Sequence, residues 1–142
     1  MTHAAQIRIR KVFGAVFVLW VGSLWSLALW VAPTLFAQSD RHLAGVVAAR
    51  LFGIETYLGV AVAGLALVLP DRAKFIPGYL AAALLAINEW LLKPVMNRAH
   101  AEGAALGLGF AAWHGVAGLL YVIACLAALW LVWRDYASSD SR

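Results

Sequence analysis

"VFGAVFVLWVGSLWSLALWVAPTLFA", residues 12–37, runs for about two dozen positions without a charged side chain. A helix rises about 1.5 Å per residue, so about 20 apolar residues cross a hydrocarbon core of roughly 30 Å. "RIRK" precedes the run and gives it the look of a secretory leader. The apolar part of a leader is shorter, about 7–15 residues, so the run reads as an uncleaved membrane span.

Three further runs of spanning length follow, at residues 43–69, 75–95 and 104–133. The connectors "QSDRH", "PDRAK" and "NRAHAEG" are short and polar. Pro70 stops the second run, and Pro with Asp makes "PDRAK" a tight turn. Long helices joined by short connectors stack antiparallel. The fold class is therefore all-α: one integral membrane domain over residues 1–142, an up-down-up-down four-helix bundle. The tail "ASSDSR" is short, polar and expected to be loose.

Composition agrees. Of 142 residues, 64% are hydrophobic and 13% charged, against about 25% charged in soluble domains. The net charge of +4 comes from Lys and Arg that flank the apolar runs. That distribution fits membrane topology and not a nucleic-acid surface. Arg8, Arg10, Lys11, Arg72, Lys74, Arg134 and Arg142 fall on one side, which places both termini in the cytoplasm of a bacterial inner membrane. Trp130 and Trp133 beside Arg134 suit an interfacial anchor there. Cys125 has no second cysteine to pair with and reads as a small buried residue.

In lipid, small and polar residues mark the packed side of a helix. The predicted stripes are Ala15, Gly22, Ser26 and Pro33 on the first span, and Ala48, Phe52, Glu55, Gly59, Ala63 and Ala66 on the second. On the third they are Gly78, Ala82, Ala86, Glu89, Lys93 and Asn97; on the fourth, Gly107, Ala111, His114, Gly118, Tyr121, Cys125 and Ala128. Gly103, Gly107, Ala111 and Gly115 repeat every fourth residue, a pattern that lets helices pack closely. The lipid bilayer is the first partner, and this Gly-rich face of span four is the candidate contact for a second copy or another membrane protein.

Four charged residues lie inside the spans: Arg50, Glu55, Glu89 and Lys93. Counted from the cytoplasmic end, Glu55, Glu89 and Ser26 sit about 20 Å deep and Arg50, Lys93 and His114 about 27–29 Å. All belong to the outer half. A lone charge at mid-bilayer costs about 2.5–3.5 kcal/mol even on insertion scales, so such groups pair or face water. Glu89 and Lys93 stand at i, i+4 with the acid first, the favourable order. Arg50 lies about 140° round the helix from Glu55 and is not expected to reach it. Pro33 and Pro94 each remove a helical hydrogen bond, freeing the carbonyls of Leu29 and Trp90. Pro94 should end or bend its helix. Together these features predict a polar, partly hydrated vestibule open to the outer face.

The motifs "WVGSLWSLALWVAPTLFA", "AGVVAARLFGIETYLG", "LLKPVMN" and "FAAWHGVAGLLYVI" resemble the transmembrane-protein-205-like family, a membrane domain of unknown function. The matching positions are Pro33 and Phe36, then Ala44, Gly45, Leu51 and Phe52, then Pro94, then Phe110, His114 and Gly115. The resemblance implies a four-helix integral membrane domain, with a eukaryotic member linked to platinum-drug resistance, and no defined chemical step. Copper-resistance-type and porphyrinogen-oxidase-type four-helix proteins are looser likenesses. They rely on histidines in or beside the first span; here residues 12–37 contain none, and His3 is expected to lie too far outside to replace one.

Three functions compete. A small solute or cation could bind at, or pass through, the outer polar site, with Glu55, Glu89 and His114 coordinating or exchanging protons and Lys93 tuning them. Arg50 and Ser26 would border that site. Alternatively, the chain is a non-catalytic subunit or assembly factor that packs through span four. A haem- or metal-binding redox protein is the third reading, with His42, His100 and Met96 as an outer patch. No HxxxH, CxxC or HExxH spacing occurs, and no cofactor or metal is predicted. No phosphate loop or nucleophile triad is present, so nucleotide hydrolysis, Ser or Cys hydrolysis and nucleic-acid binding have no support, and outside the metal or redox reading no enzyme is expected.

Overall fold

The computed structural model describes residues 3–69 and 72–139. Pro70 and Asp71, which carry much of the predicted "PDRAK" turn, lie outside the described residues, as do tail residues 140–142. Four helical segments, Ala5–Gln38, Arg41–Leu67, Arg72–Glu102 and Phe110–Arg134, are long and apolar enough to cross a membrane. No strand occurs among the described residues.

The first span is α1 (His3–Ser26), a π-helical turn (Leu27–Val31) and α2 (Ala32–Gln38). Span two is α3 (Arg41–Leu67). Span three opens with a 3-10 turn (Arg72–Phe75) and continues through α4 (Ile76–Ile87), a second π-helical turn (Asn88–Leu92) and α5 (Lys93–Glu102). The fourth span is α6 (Phe110–Ser139). Asp40 caps α3, its carboxylate accepting from the backbone N–H groups of His42 (2.9 Å) and Leu43 (3.2 Å).

Pro33 and Pro94, the mid-span prolines, each follow a wide turn by two residues. Ala32 N–H donates to the carbonyl of Leu27, five residues back, just before Pro33. Lys93 N–H donates to Asn88 in the same way, just before Pro94. Proline has no N–H, and its ring crowds the carbonyl four residues earlier. A one-residue widening of the preceding turn absorbs both problems. Pro94 therefore does not end its helix: the third span runs to Glu102, well past the predicted end near residue 95.

Span four starts at Phe110 and not near residue 104. Between α5 and α6 the chain makes a two-residue turn, with Ala105 and Leu108 exchanging backbone hydrogen bonds of 2.9 and 3.1 Å. Gly103 (φ 85°), Leu106 (φ 51°) and Gly107 (φ 80°) take left-handed conformations there. Gly103 and Gly107 thus serve the turn and belong to no helix face, which removes half of the predicted close-packing pattern. Trp113 Nε1 donates to Ala105 O at 2.9 Å and ties the turn to α6. At the other end, α6 continues through Ser139, so the start of the predicted loose tail is helical.

The spans pack in cyclic order one, two, three, four, each against its chain neighbours, with four closing on one. Phe13 meets Phe75 edge-on at 4.9 Å, and Arg134 donates to the Lys74 carbonyl. The start of span one, the two–three connection and the end of span four therefore share one end, the terminal end. The short Ser39–Asp40 link and the 103–109 turn form the connector end.

The packed face of span one differs from the prediction. Ala15, Gly22, Ser26 and Pro33 are exposed, and Phe13, Phe17, Trp20, Val21, Leu24 and Leu27 are buried. Here the large residues are the knobs, and glycines on other helices supply the holes. A Cβ at Gly59 would lie 2.5 Å from Trp20 Cζ2, and one at Gly78 3.2 Å from Phe17 Cε2. On α6 the buried side is Ala117, Tyr121, Ala124, Cys125, Ala128 and Leu131. Ala111, His114, Gly115 and Gly118 face outward. Span two follows its predicted stripe, with Ala48, Glu55, Gly59 and Ala66 buried.

A ring of side chain to backbone hydrogen bonds links the four spans in the same cyclic sense. Trp20 Nε1 donates to Glu55 O (3.3 Å), and Thr56 Oγ1, bonded first to Phe52 O of its own helix (3.0 Å), shares its hydrogen at 3.5 Å with Leu85 O. Asn88 Nδ2 donates to Ala117 O (2.8 Å), and Tyr121 Oη to Leu24 O (2.9 Å). Lipid supplies no competing water, so such bonds fix register where apolar contacts alone would let helices slide.

Candidate functional site

The polar residues inside the spans divide into three groups. The first is in the bundle core. Glu55 is 8% exposed, and its carboxyl Oε2 lies 3.0 Å from Ser23 Oγ on α1. Ser23 Oγ also donates to the Trp20 carbonyl at 2.7 Å. Tyr121 and Cys125 of α6 are buried in the same core, with Tyr121 Oη donating to Leu24 O of α1 at 2.9 Å. Phe52 packs edge-on against the Tyr121 ring at 4.8 Å and closes this cluster.

The second group lies where spans two and three meet. Lys93 Nζ pairs with Glu89 Oε1 at 2.5 Å, the i, i+4 contact expected from their spacing. The Glu89 side chain is 16% exposed and that of Lys93 34%. Gly53 of α3 forms the wall behind the carboxylate: a Cβ there would come within 3.3 Å of Oε1. Glu89 lies in the wide turn before Pro94, next to Asn88, whose amide reaches α6. Widened turns of this kind recur at functional sites because they re-aim side chains.

The third group is at the connector end. His114 is exposed and stacks on Phe110 with centroids 5.7 Å apart, and His100 meets that ring in an edge contact at 5.2 Å. No hydrogen bond or ion pair joins either histidine to Glu55 or Glu89 among the described residues. The predicted gathering of Glu55, Glu89 and His114 is thus three separate places, with Glu55 facing span one, Glu89 facing span two and His114 facing outward.

Arg50 and Ser26 are exposed and lie outside all three groups. Arg50 makes no ion pair among the described residues, in keeping with its angular distance from Glu55. Pro33, Phe36, Pro94, Phe110 and Gly115 are exposed on the bundle surface, whereas Phe52 points inward. Among the described residues no three His, Cys, Asp or Glu side chains come together as metal ligands. His42 lies at the start of α3, and Met96 and His100 lie on α5, all towards the connector end. Among the described residues, cavities occur on the side of the bundle nearer the terminal end. One, near Phe13 and Phe17, is about 10 Å³, and another is an apolar groove of about 320 Å³ between Ala63 and Ala83. Neither is lined by Glu55, Glu89 or His114.

Several contributors escaped the sequence reading. Asn88 sits beside Glu89 in an apolar run and was legible as a buried amide seeking a carbonyl. Ser23 was legible only as a residue bonded to its own helix, which is half of what it does. Gly53 gave no signal, because its use depends on which neighbouring helix brings a carboxylate to it.

Residues 15–105 match the family described as Domain of unknown function (DUF4149). An uncharacterized protein of Aquifex aeolicus (strain VF5) is 34% identical over 103 residues, which cover 70% of this chain and 74% of that relative. No solved structure matches. The family match contains Ser23, Gly53, Glu55, Glu89 and Lys93 and ends before α6, so Phe110, His114 and Gly115 lie beyond it. With well over half of the chain matched, including both intramembrane carboxyl groups, this four-span membrane protein belongs to the DUF4149 family of unknown function.

Proposed function

We propose that the protein binds, and passes across a bacterial inner membrane, a small cation at the Glu89–Lys93 pair, with both termini in the cytoplasm and the connector end outside. The carrying observation is a carboxylate within a membrane span, set on a widened helical turn against Gly53, whose charged partner is a half-exposed lysine on its own helix. The Lys93 ammonium acts as a tethered stand-in. It neutralises Glu89 while the site is empty and swings towards the outer headgroups when a cation takes its place. Glu55 and His114 stand apart and are not asked to coordinate the cation. The likeness to transmembrane-protein-205-like domains adds no chemical step to this reading.

The test is equilibrium binding of Na⁺, K⁺ and a small organic cation to the purified protein in lipid vesicles, followed by uptake. Glu89→Gln should abolish binding while the protein still inserts, and Lys93→Met should strengthen it by removing the competitor. Binding that survives Glu89→Gln unchanged would exclude the pair as the site.

A further inference from the structure

The Glu55 cluster contains more hydrogen-bond acceptors than hydrogens to fill them. A serine hydroxyl has one hydrogen to donate. Ser23 Oγ lies 2.7 Å from the Trp20 carbonyl and 3.0 Å from Glu55 Oε2. The carbonyl can only accept, and its contact is the shorter, so the hydroxyl hydrogen belongs there. A second bond of Ser23, to Glu55, then needs its hydrogen from the carboxyl.

The neighbouring side-chain donors are committed in the same way. Tyr121 Oη gives its hydrogen to Leu24 O, and Thr56 Oγ1 to Phe52 O at 3.0 Å. Trp20 Nε1 serves the backbone carbonyl of Glu55 and not its side chain. Cys125 on α6 offers only a weak S–H donor. No Lys, Arg or His forms an ion pair with Glu55 among the described residues. A carboxylate there would be buried with neither a counter-charge nor a full hydrogen bond, the arrangement that membrane interiors penalise most.

We propose that Glu55 is a proton-binding site, kept as the neutral acid in the bundle core with its carboxyl O–H directed at Ser23 Oγ. Release breaks that O–H bond and passes the proton to water. Ser23 then turns its own O–H from the Trp20 carbonyl to the carboxylate left behind. Ser23 is thus the positioning residue, accepting from the loaded site and donating to the unloaded one. The inference stands apart from cation binding at Glu89, because the two carboxyl groups face different helices.

Infrared spectroscopy of the full chain in lipid bilayers at neutral pH tests it. The wild type should show the C=O stretch of a protonated carboxyl, and Glu55→Gln should lose that band. In Ser23→Ala the band should persist and move to higher wavenumber, the mark of a lost hydrogen bond. A wild-type spectrum without the band, or a band that survives Glu55→Gln, overturns the proposal. Should Glu55→Gln fail to insert, the Ser23→Ala spectrum decides, since an unshifted or absent band there is equally fatal.

Discussion

Adding one methyl group at Gly59 tests how the bundle is held together. In Gly59→Ala the new Cβ would lie 2.5 Å from Trp20 Cζ2 and 3.1 Å from Cε2, where carbon atoms prefer about 3.5–4.0 Å. The indole cannot easily retreat, because Nε1 is bonded to the Glu55 carbonyl and Phe17 packs against its ring at 5.6 Å. Overpacking of this size costs about 1–3 kcal/mol. Gly64→Ala, one and a half turns further along the same helix, is the control, since nothing lies within 4 Å of its Cβ position. Helices persist in the unfolded state within lipid or detergent, so the propensity gain of alanine is small, and Gly64→Ala should stay within about 0.5 kcal/mol of wild type. Unfolding in mixed micelles by increasing SDS fraction, followed by tryptophan fluorescence, measures both. Trp20→Phe shortens the knob and should remove at least half of the Gly59→Ala penalty, a coupling within the usual 0.5–3 kcal/mol for residues in contact. Equal stability of Gly59→Ala and Gly64→Ala, or an undiminished penalty in the Trp20→Phe background, would refute knob-into-glycine packing as the source of the interface.

Tyr121→Phe keeps the ring against Phe52 and removes the bond to the Leu24 carbonyl; it should cost about 0.6–1.7 kcal/mol in the same unfolding assay. Gly53→Ala meets only the movable end of Glu89, so its stability should change by less than about 1 kcal/mol while cation binding weakens in titration calorimetry. Native Cys125 is 2% exposed and should resist maleimide until the protein is denatured. Against that silent background, Gln38→Cys should label from outside intact cells. Labelling only after permeabilisation would invert the proposed orientation.

Much of the architecture was legible because lipid constrains a sequence strongly. Four apolar runs can satisfy their backbone only as helices, and short connectors force those helices to alternate. Glu89 and Lys93 were legible as a pair because i, i+4 spacing on one helix needs no knowledge of its neighbours. Pro33 and Pro94 were legible as disturbances, but not as wide turns that let the helix continue. A missing N–H does not say whether a helix will stop or reshape, and packing around the turn settles that. Gly103 and Gly107 matched a helix-packing motif while serving a turn, since glycine supplies both close approach and positive φ.

The sequence by itself determined the solvent, the number of spans, their alternation and the local ion pair, because each follows from hydropathy, length or spacing along one chain. Which face of span one turns inward, which carbonyl each polar side chain finds, and the separation of Glu55, Glu89 and His114 came only with the tertiary structure. In lipid no hydrophobic gradient distinguishes the inside of a bundle from the outside. The inward face is therefore chosen by how knobs and gaps on different helices fit, a property of pairs of helices that no single stretch contains.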